Sequence, residues 1–264
     1  MTNGQNPSPQ QPIVIQRGSS WFLKIVAFLG WFGLMAAGLI IIVQLAATAQ
    51  YFNELDGVTE KYFSGDKMAN DKIALIRVEG VIMKGEGYIR NQIELARKDE
   101  NVKAIVLRVD SPGGSVSASD YIYHHLKQLR EEREIPLVVS MGSSAASGGY
   151  YVAMAVGDEE DVIFAEPTTI TGSIGVIIPH YDLSGLMAEY HIKDDSIASH
   201  PRKEMLSMTR EMPPEQRALV QGLVDDMFTR FKDIVKTGRP AYREDPQKLD
   251  DLATGEIYLT DKAI

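Results

Sequence analysis

Two apolar runs that each close in a glycine turn and lead into a helical pattern constrain this chain more than any other feature. Residues 103–110 contain Ala104-Ile-Val-Leu107 and end in Asp110-Ser111-Pro112-Gly113-Gly114. Residues 135–141 run on into Ser143-Ser144-Ala145-Ala146-Ser147-Gly148-Gly149-Tyr150-Tyr151. A strand that feeds a helix through a tight turn is half of a βαβ unit, and the pattern recurs. Residues 73–82 read as a strand with a bend at Gly80, and 88–99 as a helix burying Ile89, Ile93, Leu95 and Ala96. Residues 117–133 form an amphipathic helix with Ser117 and Asp120 near capping-box positions. Further helices are expected at 147–156, 181–190 and 213–236, and further strands at 162–165 and 172–178. The expectation is an α/β fold of repeated βαβ units with a largely parallel sheet, covered on both faces at Ala104–Leu107. Ligands of such sheets gather where strands end and helices begin, which is where both glycine turns fall.

Ahead of this domain lies a different kind of sequence. Residues 1–20 are rich in Asn, Gln, Pro, Ser and Gly, and are expected to be a disordered tail. Residues 25–47 carry no charge, and Gln44 is their one strongly polar side chain. A helix of that length spans roughly 35 Å, enough for a bilayer core of about 30 Å. Trp21, Trp31 and Tyr51 supply candidate interfacial anchors, so 21–49 reads as a transmembrane helix touching lipid through 25–47. Arg17 and Lys24 precede residues 25–47, whereas Glu54 and Asp56 follow. The positive-inside tendency leaves the N-terminus in the cytoplasm and exports the rest, a single-pass topology in the inner (cytoplasmic) membrane. Ala47-Thr48-Ala49 resembles a signal-peptidase site, but the apolar stretch exceeds the roughly 7–15 residues of a cleavable signal, which favours an uncleaved anchor. Residues 50–72 then form a tether and 73–264 the α/β domain.

Composition excludes several functions. A net charge of −9 over 264 residues argues against nucleic acid as partner. The absence of cysteine removes disulfides, thiol nucleophiles and thiolate metal sites, and no metal or cofactor is expected. Neither G-x-G-x-x-G nor the G-K-[ST] ending of a phosphate loop is present. What the two turns offer is acyl-transfer chemistry. Ser147 stands at a helix start, and Gly148 and Gly149 let a carbonyl approach the backbone closely, as in a nucleophile elbow with alanine for its first glycine. Pro112, Gly113 and Gly114 can turn an N–H toward the same cleft. The alternatives are a Ser147 that merely caps a helix and a plain βα turn. A serine nucleophile needs a base, and the residues leave it open. His124 and His125 fall mid-helix, while His180 or His191 suits a Ser-His-Asp arrangement. A lysine in a partly apolar cleft would also serve, since burial favours its uncharged form.

Asp110-Ser-Pro-Gly-Gly114, Ala145-Ala-Ser-Gly-Gly-Tyr-Tyr151 and Thr171-Gly-Ser-Ile-Gly-Val176, in that order, resemble the bacterial signal peptide peptidase (SppA) family, peptidase family S49. The likeness runs from about residue 73 to 264. It implies a ClpP/crotonase-like fold and a Ser-Lys endopeptidase that cleaves remnant signal peptides or other membrane-adjacent peptides. By the same resemblance Ser147 is the nucleophile, Gly114 and Gly148 form the oxyanion hole, and Ser173 holds the lysine amine. The stretch Lys203-Glu204-Met205-Leu-Ser-Met-Thr-Arg210-Glu211-Met212 matches the register of the family's catalytic lysine, which makes Lys203 the base. The family's half-length chains imply a homo-oligomeric ring with sites shared between subunits. Two departures stand out. Ser199-His200-Pro201-Arg202 replaces the usual Ser-Gly pair before the lysine. The sequence also stops at Ile264, about one turn into a helix that the family continues, so a truncated C-terminal end is expected. The rival readings are a ClpP-like Ser-His-Asp hydrolase, a crotonase-type acyl-thioester enzyme and a non-catalytic peptide-binding scaffold.

Overall fold

The computed structural model describes residues 21–56 and 58–263; the tail expected at 1–20 lies outside them. The chain divides into two compact units, with the boundary between Glu54 and Leu55. The first contains all but the last two residues of helix α1, Trp21–Asp56. Its stretch Lys24–Ala46 is long and apolar enough to cross a membrane, with a mean hydropathy of 2.5 and none of it buried. Apolar side chains point outward all round, as Trp31, Leu34 and Ile42 do, so α1 has no polar face to offer water.

The second unit is built on a six-stranded sheet. Its strands are β1 (Lys72–Glu79), β2 (Val102–Ser111), β3 (Leu137–Ala146), β4 (Ile163–Ala165), β5 (Ile170–Gly172) and β6 (Ile257–Leu259). The order is β1-β2-β3-β5-β6, with β4 also paired to β3. All pairs are parallel except β5–β6, which is antiparallel. Helices α2 (Tyr88–Lys98), α3 (Val116–Arg133) and α4 (Gly148–Ala153) follow β1, β2 and β3 in turn, giving the expected βαβ repeat. Because β3 is ten residues long it pairs twice: Val139–Met141 with β4, and Ser144–Ala146 with β5. That fork carries β5 to the C-terminal end of β3, next to the second glycine turn.

The core follows from the period of the strands and helices. Ile76 and Val78, then Ile105, Leu107 and Val109, then Leu137 and Val139 face Ile122, Leu126 and Leu129 of α3, all close to fully buried. Each such side chain contributes about 1.5–3 kcal/mol on leaving water. The opposite face is less covered than the apolar run of β2 predicts: burial alternates along β2, and Val106, Arg108 and Asp110 are half-exposed. Arg108 occupies that face, bonded to Ser140 Oγ at 2.9 Å and Glu166 at 2.6 Å.

Several local expectations change. β1 stops at Gly80, whose φ of 72° ends the pleat; Ile82 pairs with Gly114 as an isolated bridge instead. On α2 the inward side includes Gln92 rather than Leu95, since the amide bonds both backbone groups of Arg77 on the sheet edge at 2.9 and 3.0 Å. Ser115, not Ser117, caps α3. The strand expected at 172–178 is absent: Gly172 and Ser173 have φ of 82° and 52°, β5 ends at Gly172, and beyond it only single backbone bonds remain, from Ser173 to the Glu256 carbonyl, from Gly255 to the Ile174 carbonyl and from Leu183 to the Met208 carbonyl. The chain then enters an arm carrying α5 (Ser184–Glu189) and a 3-10 turn, Pro201–Glu204, before α6 (Pro214–Gly238). Helices α7 (Ala241–Glu244), α8 (Pro246–Leu252) and α9 (Thr260–Ala263) complete the unit.

Candidate active site

The chain leaves β3 through Ser147, whose φ of 50° and ψ of −120° lie outside the regions open to ordinary L-residues. A non-glycine residue there costs on the order of 1–3 kcal/mol and persists only where its surroundings impose it. They do so from both sides. The Ser147 N–H donates to the Gly172 carbonyl at 2.8 Å, and the Ser147 carbonyl accepts from the Tyr151 N–H at 2.9 Å. The side chain makes no capping bond to α4 and is half-buried, which leaves Oγ uncommitted at the head of a strained strand-to-helix turn.

The first glycine turn packs against it backbone to backbone. Ser111 Oγ accepts the Gly113 N–H at 3.1 Å, the Gly113 carbonyl accepts from Ile82 at 2.9 Å, and Ser115 donates to the Ile82 carbonyl at 2.7 Å. A Cβ at Gly114 would stand 2.2 Å from the Ile82 carbonyl oxygen; one at Gly148 would meet Ser119 Oγ at 2.3 Å and the Gly114 nitrogen at 3.2 Å. At Gly113, where φ is 100°, it would stand 2.6 Å from the Gly148 nitrogen and 2.8 Å from Ser147 Cβ. Glycine is therefore what allows the turns to touch. Among the described residues neither the Gly114 N–H nor the Gly148 N–H has an acceptor, so two donors stand free beside one hydroxyl.

Asp110 braces the pair, a role the sequence reading missed. Its carboxylate accepts from the Ser144 N–H at 3.1 Å and from Ser143 Oγ at 3.4 Å, tying the end of β2 to β3. The available signal was a lone acid at a strand end, ahead of a Ser-Pro-Gly-Gly turn. Ser173 sits next in the chain to the Gly172 carbonyl that holds Ser147, and its own N–H donates to the Glu256 carbonyl at 2.7 Å. Ser147, Gly114, Gly148 and Ser173 are thus gathered at one place.

Lys203 lies elsewhere. It is exposed on the 3-10 turn, where the His200 ring caps the helix start by accepting the Arg202 N–H at 3.1 Å. The groove beside it is lined by Asp194, Ser196, Ile197, Ser199, Leu206 and Ser207 among others, every one from the arm and none from the glycine turns. The arm is tied internally: Arg210 reaches Asp194 at 2.9 Å and Glu204 at 2.6 Å, and Ser196 and Thr209 also donate to Asp194. These bonds, those of Ser196 and Thr209 first, hold the Asp194 carboxyl well below the usual carboxylate range. Among the described residues no histidine hydrogen-bonds to Ser147 in place of the lysine. His180 Nε2 faces the Ser207 carbonyl at 3.1 Å within the arm, and His125 stacks edge-on against Tyr121, its pKa pushed down first by burial.

Comparison with known proteins places this geometry among peptidases. The family model described as Peptidase family S49 matches residues 129–264, just over half of the chain, and that for Clp protease matches 67–172. A Synechocystis sp. relative named as a protease is 37% identical over 193 residues, covering 73% of this chain and 66% of that protein. Protease 4 of Salmonella typhi is 36% identical over 199 residues, covering 72% and 31%. An Enterococcus faecium relative named for signal peptide peptidase SppA is 32% identical over 208 residues, covering 74% and 58%. The chain therefore spans between about a third and two-thirds of the length of these relatives.

Proposed function

The chain belongs to peptidase family S49, and from that premise we propose that it is a serine endopeptidase working through Ser147 and Lys203. The uncharged Lys203 amine takes the proton of the Ser147 hydroxyl as Oγ attacks the scissile carbonyl carbon. The resulting tetrahedral oxyanion accepts hydrogen bonds from the Gly114 and Gly148 amides. Collapse expels the leaving amine, which takes the proton back from the lysine, and leaves an acyl-enzyme. Water, deprotonated by the same lysine, hydrolyses that ester and regenerates Ser147.

One observation carries this reading: a serine held at positive φ, with no cap to make, beside two amides with no acceptor. Labelling with a fluorophosphonate, followed by peptide mapping, tests it. The label is expected on Ser147 and absent in Ser147→Ala; labelling that persists in the variant removes the nucleophile.

The base is supplied by a neighbouring copy of the chain. Lys203 lies in a groove made by the arm alone, and the arm exposes Ile177, Tyr181, Tyr190 and Ile197, the last completely. Large apolar side chains left in water in such number on one arm suit an interface. Self-association would cover it, carry each Lys203 to the Ser147 cleft of the next copy, and shield the amine from water. Ser173, adjoining the nucleophile's turn, accepts a hydrogen bond from the incoming amine. Helix α1 anchors the enzyme in the inner membrane with the N-terminus cytoplasmic and the catalytic unit exported. Its substrates are then peptides at the bilayer surface, remnant signal peptides among them.

A further inference from the structure

Tyr151 and Asp120 belong to neither glycine turn, yet they join the helices that grow out of both. Asp120 lies in the second turn of α3, which begins two residues after Gly114; Tyr151 is the fourth residue of α4, which begins at Gly148. The Tyr151 hydroxyl donates to Asp120 Oδ1. The same oxygen accepts from Arg230 of α6 through Nε at 3.0 Å and Nη2 at 2.7 Å. Meanwhile the Tyr151 backbone N–H donates to the Ser147 carbonyl at 2.9 Å. One residue thus grips the nucleophile's turn with its main chain and the other turn's helix with its side chain.

The Tyr151 ring has no freedom of its own. It is 3% exposed, set edge-on to Tyr123 with centroids 5.6 Å apart and tilted against Phe231 at 5.0 Å. Burial first, then the bond to Asp120, pushes its hydroxyl pKa above the ordinary value, so it remains a donor at any working pH. Apolar packing between helices is non-directional and lets them slide by tenths of an ångström. A hydrogen bond to an ionised carboxylate is short and directional, and this one ties the two helices within two turns of where they begin.

We propose that the Tyr151–Asp120–Arg230 cluster is the positioning device of the oxyanion site, fixing the separation of the Gly114 and Gly148 amides. This rests on the reading of Ser147 as nucleophile and deepens it. None of the three touches substrate; they act through the helix starts. A donor misplaced by a fraction of an ångström weakens the transition state while leaving ground-state binding intact.

Tyr151→Phe keeps the ring and deletes the hydroxyl. The full-length protein in detergent is expected to lose about tenfold in kcat and in the rate of Ser147 phosphonylation by a fluorophosphonate, with KM unchanged; deleting an oxyanion donor outright costs more, about 100-fold or beyond. Asp120→Asn retains an acceptor oxygen and should recover most of the rate, whereas Asp120→Leu should match Tyr151→Phe. Should Tyr151→Phe not fold, Asp120→Leu, altered at a side chain 30% exposed, reads the same bond. Wild-type rates in Tyr151→Phe, a change in KM in place of kcat, or no recovery in Asp120→Asn each overturns the positioning role. Failure of the wild-type protein to label at Ser147 removes the nucleophile reading and this role together; labelling at Ser147 with unaltered variants removes this role alone.

Discussion

Replacing Gly113 by alanine tests the proposed oxyanion site at the point where the turns meet. Two costs follow from the structure. The first is conformational: at φ 100° a Cβ is crowded by its own backbone, a penalty of about 1–3 kcal/mol. The second is displacement. The new methyl would stand 2.6 Å from the Gly148 nitrogen, where ordinary contact begins at 3.4 Å, so backbone must give by 3.4 − 2.6 = 0.8 Å. A donor moved that far no longer meets the developing oxyanion, and rate losses near 100-fold are expected, about 2.7 kcal/mol of transition-state stabilisation. Gly65 supplies the control. Its φ is 99°, matched to Gly113, but nothing lies within 4 Å of the added Cβ. Gly65→Ala therefore carries the conformational cost without the displacement. We expect both variants to melt a few degrees lower, and only Gly113→Ala to lose kcat and fluorophosphonate reactivity. The assay is hydrolysis of a fluorogenic peptide by detergent-solubilised protein, read alongside thermal unfolding. If the two variants keep equal activity, the Gly148 amide is not a donor to the transition state and the geometric argument fails.

Further outcomes follow from the same structure. Lys203→Met and Ser147→Ala are each expected to be inactive, yet co-expression should restore activity to about a quarter of the sites, as random mixing within a closed ring requires; no recovery would argue against shared sites. His180→Ala should retain turnover, because its ring is engaged by the Ser207 carbonyl; loss of hydrolysis would instead favour a Ser-His arrangement. Asp194 is lowered below its ordinary value of 3.8, so the hold of its carboxylate on the arm is complete above that value and is lost only as pH falls through the depressed pKa. Limited proteolysis of the arm should accordingly be the same at pH 7 and pH 5, and Asp194→Asn should raise it at both; wild-type cleavage that accelerates by pH 5 contradicts the assignment. Gln92→Leu leaves two Arg77 backbone groups unpaired on the sheet edge and should cost about 1–3 kcal/mol in denaturant unfolding, while a change under about 0.5 kcal/mol would mean that water replaces the amide.

Local elements were legible in the chain because strand and helix periods are local facts. The apolar runs at 103–110 and 135–141, the glycine turns behind them and the long helix from Pro214 all appear within a residue or two of where they were expected, apart from β3, which runs on to Ala146. The misreadings share one cause. Leu95 is apolar and Gln92 polar, yet Gln92 is buried because β1 presents a sheet edge whose backbone needs partners. Residues 172–178 have strand composition, but a strand exists only beside a neighbour, and the left-handed pair Gly172 and Ser173 turns the chain away from its ladder. Ser117 and Asp120 have capping spacing, but the helix is capped two residues earlier, at Ser115, which frees Asp120 for Tyr151 and Arg230.

The chemistry divides in the same way. Residue types and their order along the chain determined which groups are available: a serine between small residues at a helix start, glycines in two turns that each follow an apolar run, and a 23-residue stretch, Lys24–Ala46, with no polar face. Only the tertiary structure decided that Gly113 and Gly148 touch, that Ser147 is held at positive φ, and that Lys203 sits on an arm apart from that turn. Periodicity and spacing are set by bonds a few residues long, whereas contact between groups tens of residues apart in sequence depends on how the whole sheet closes.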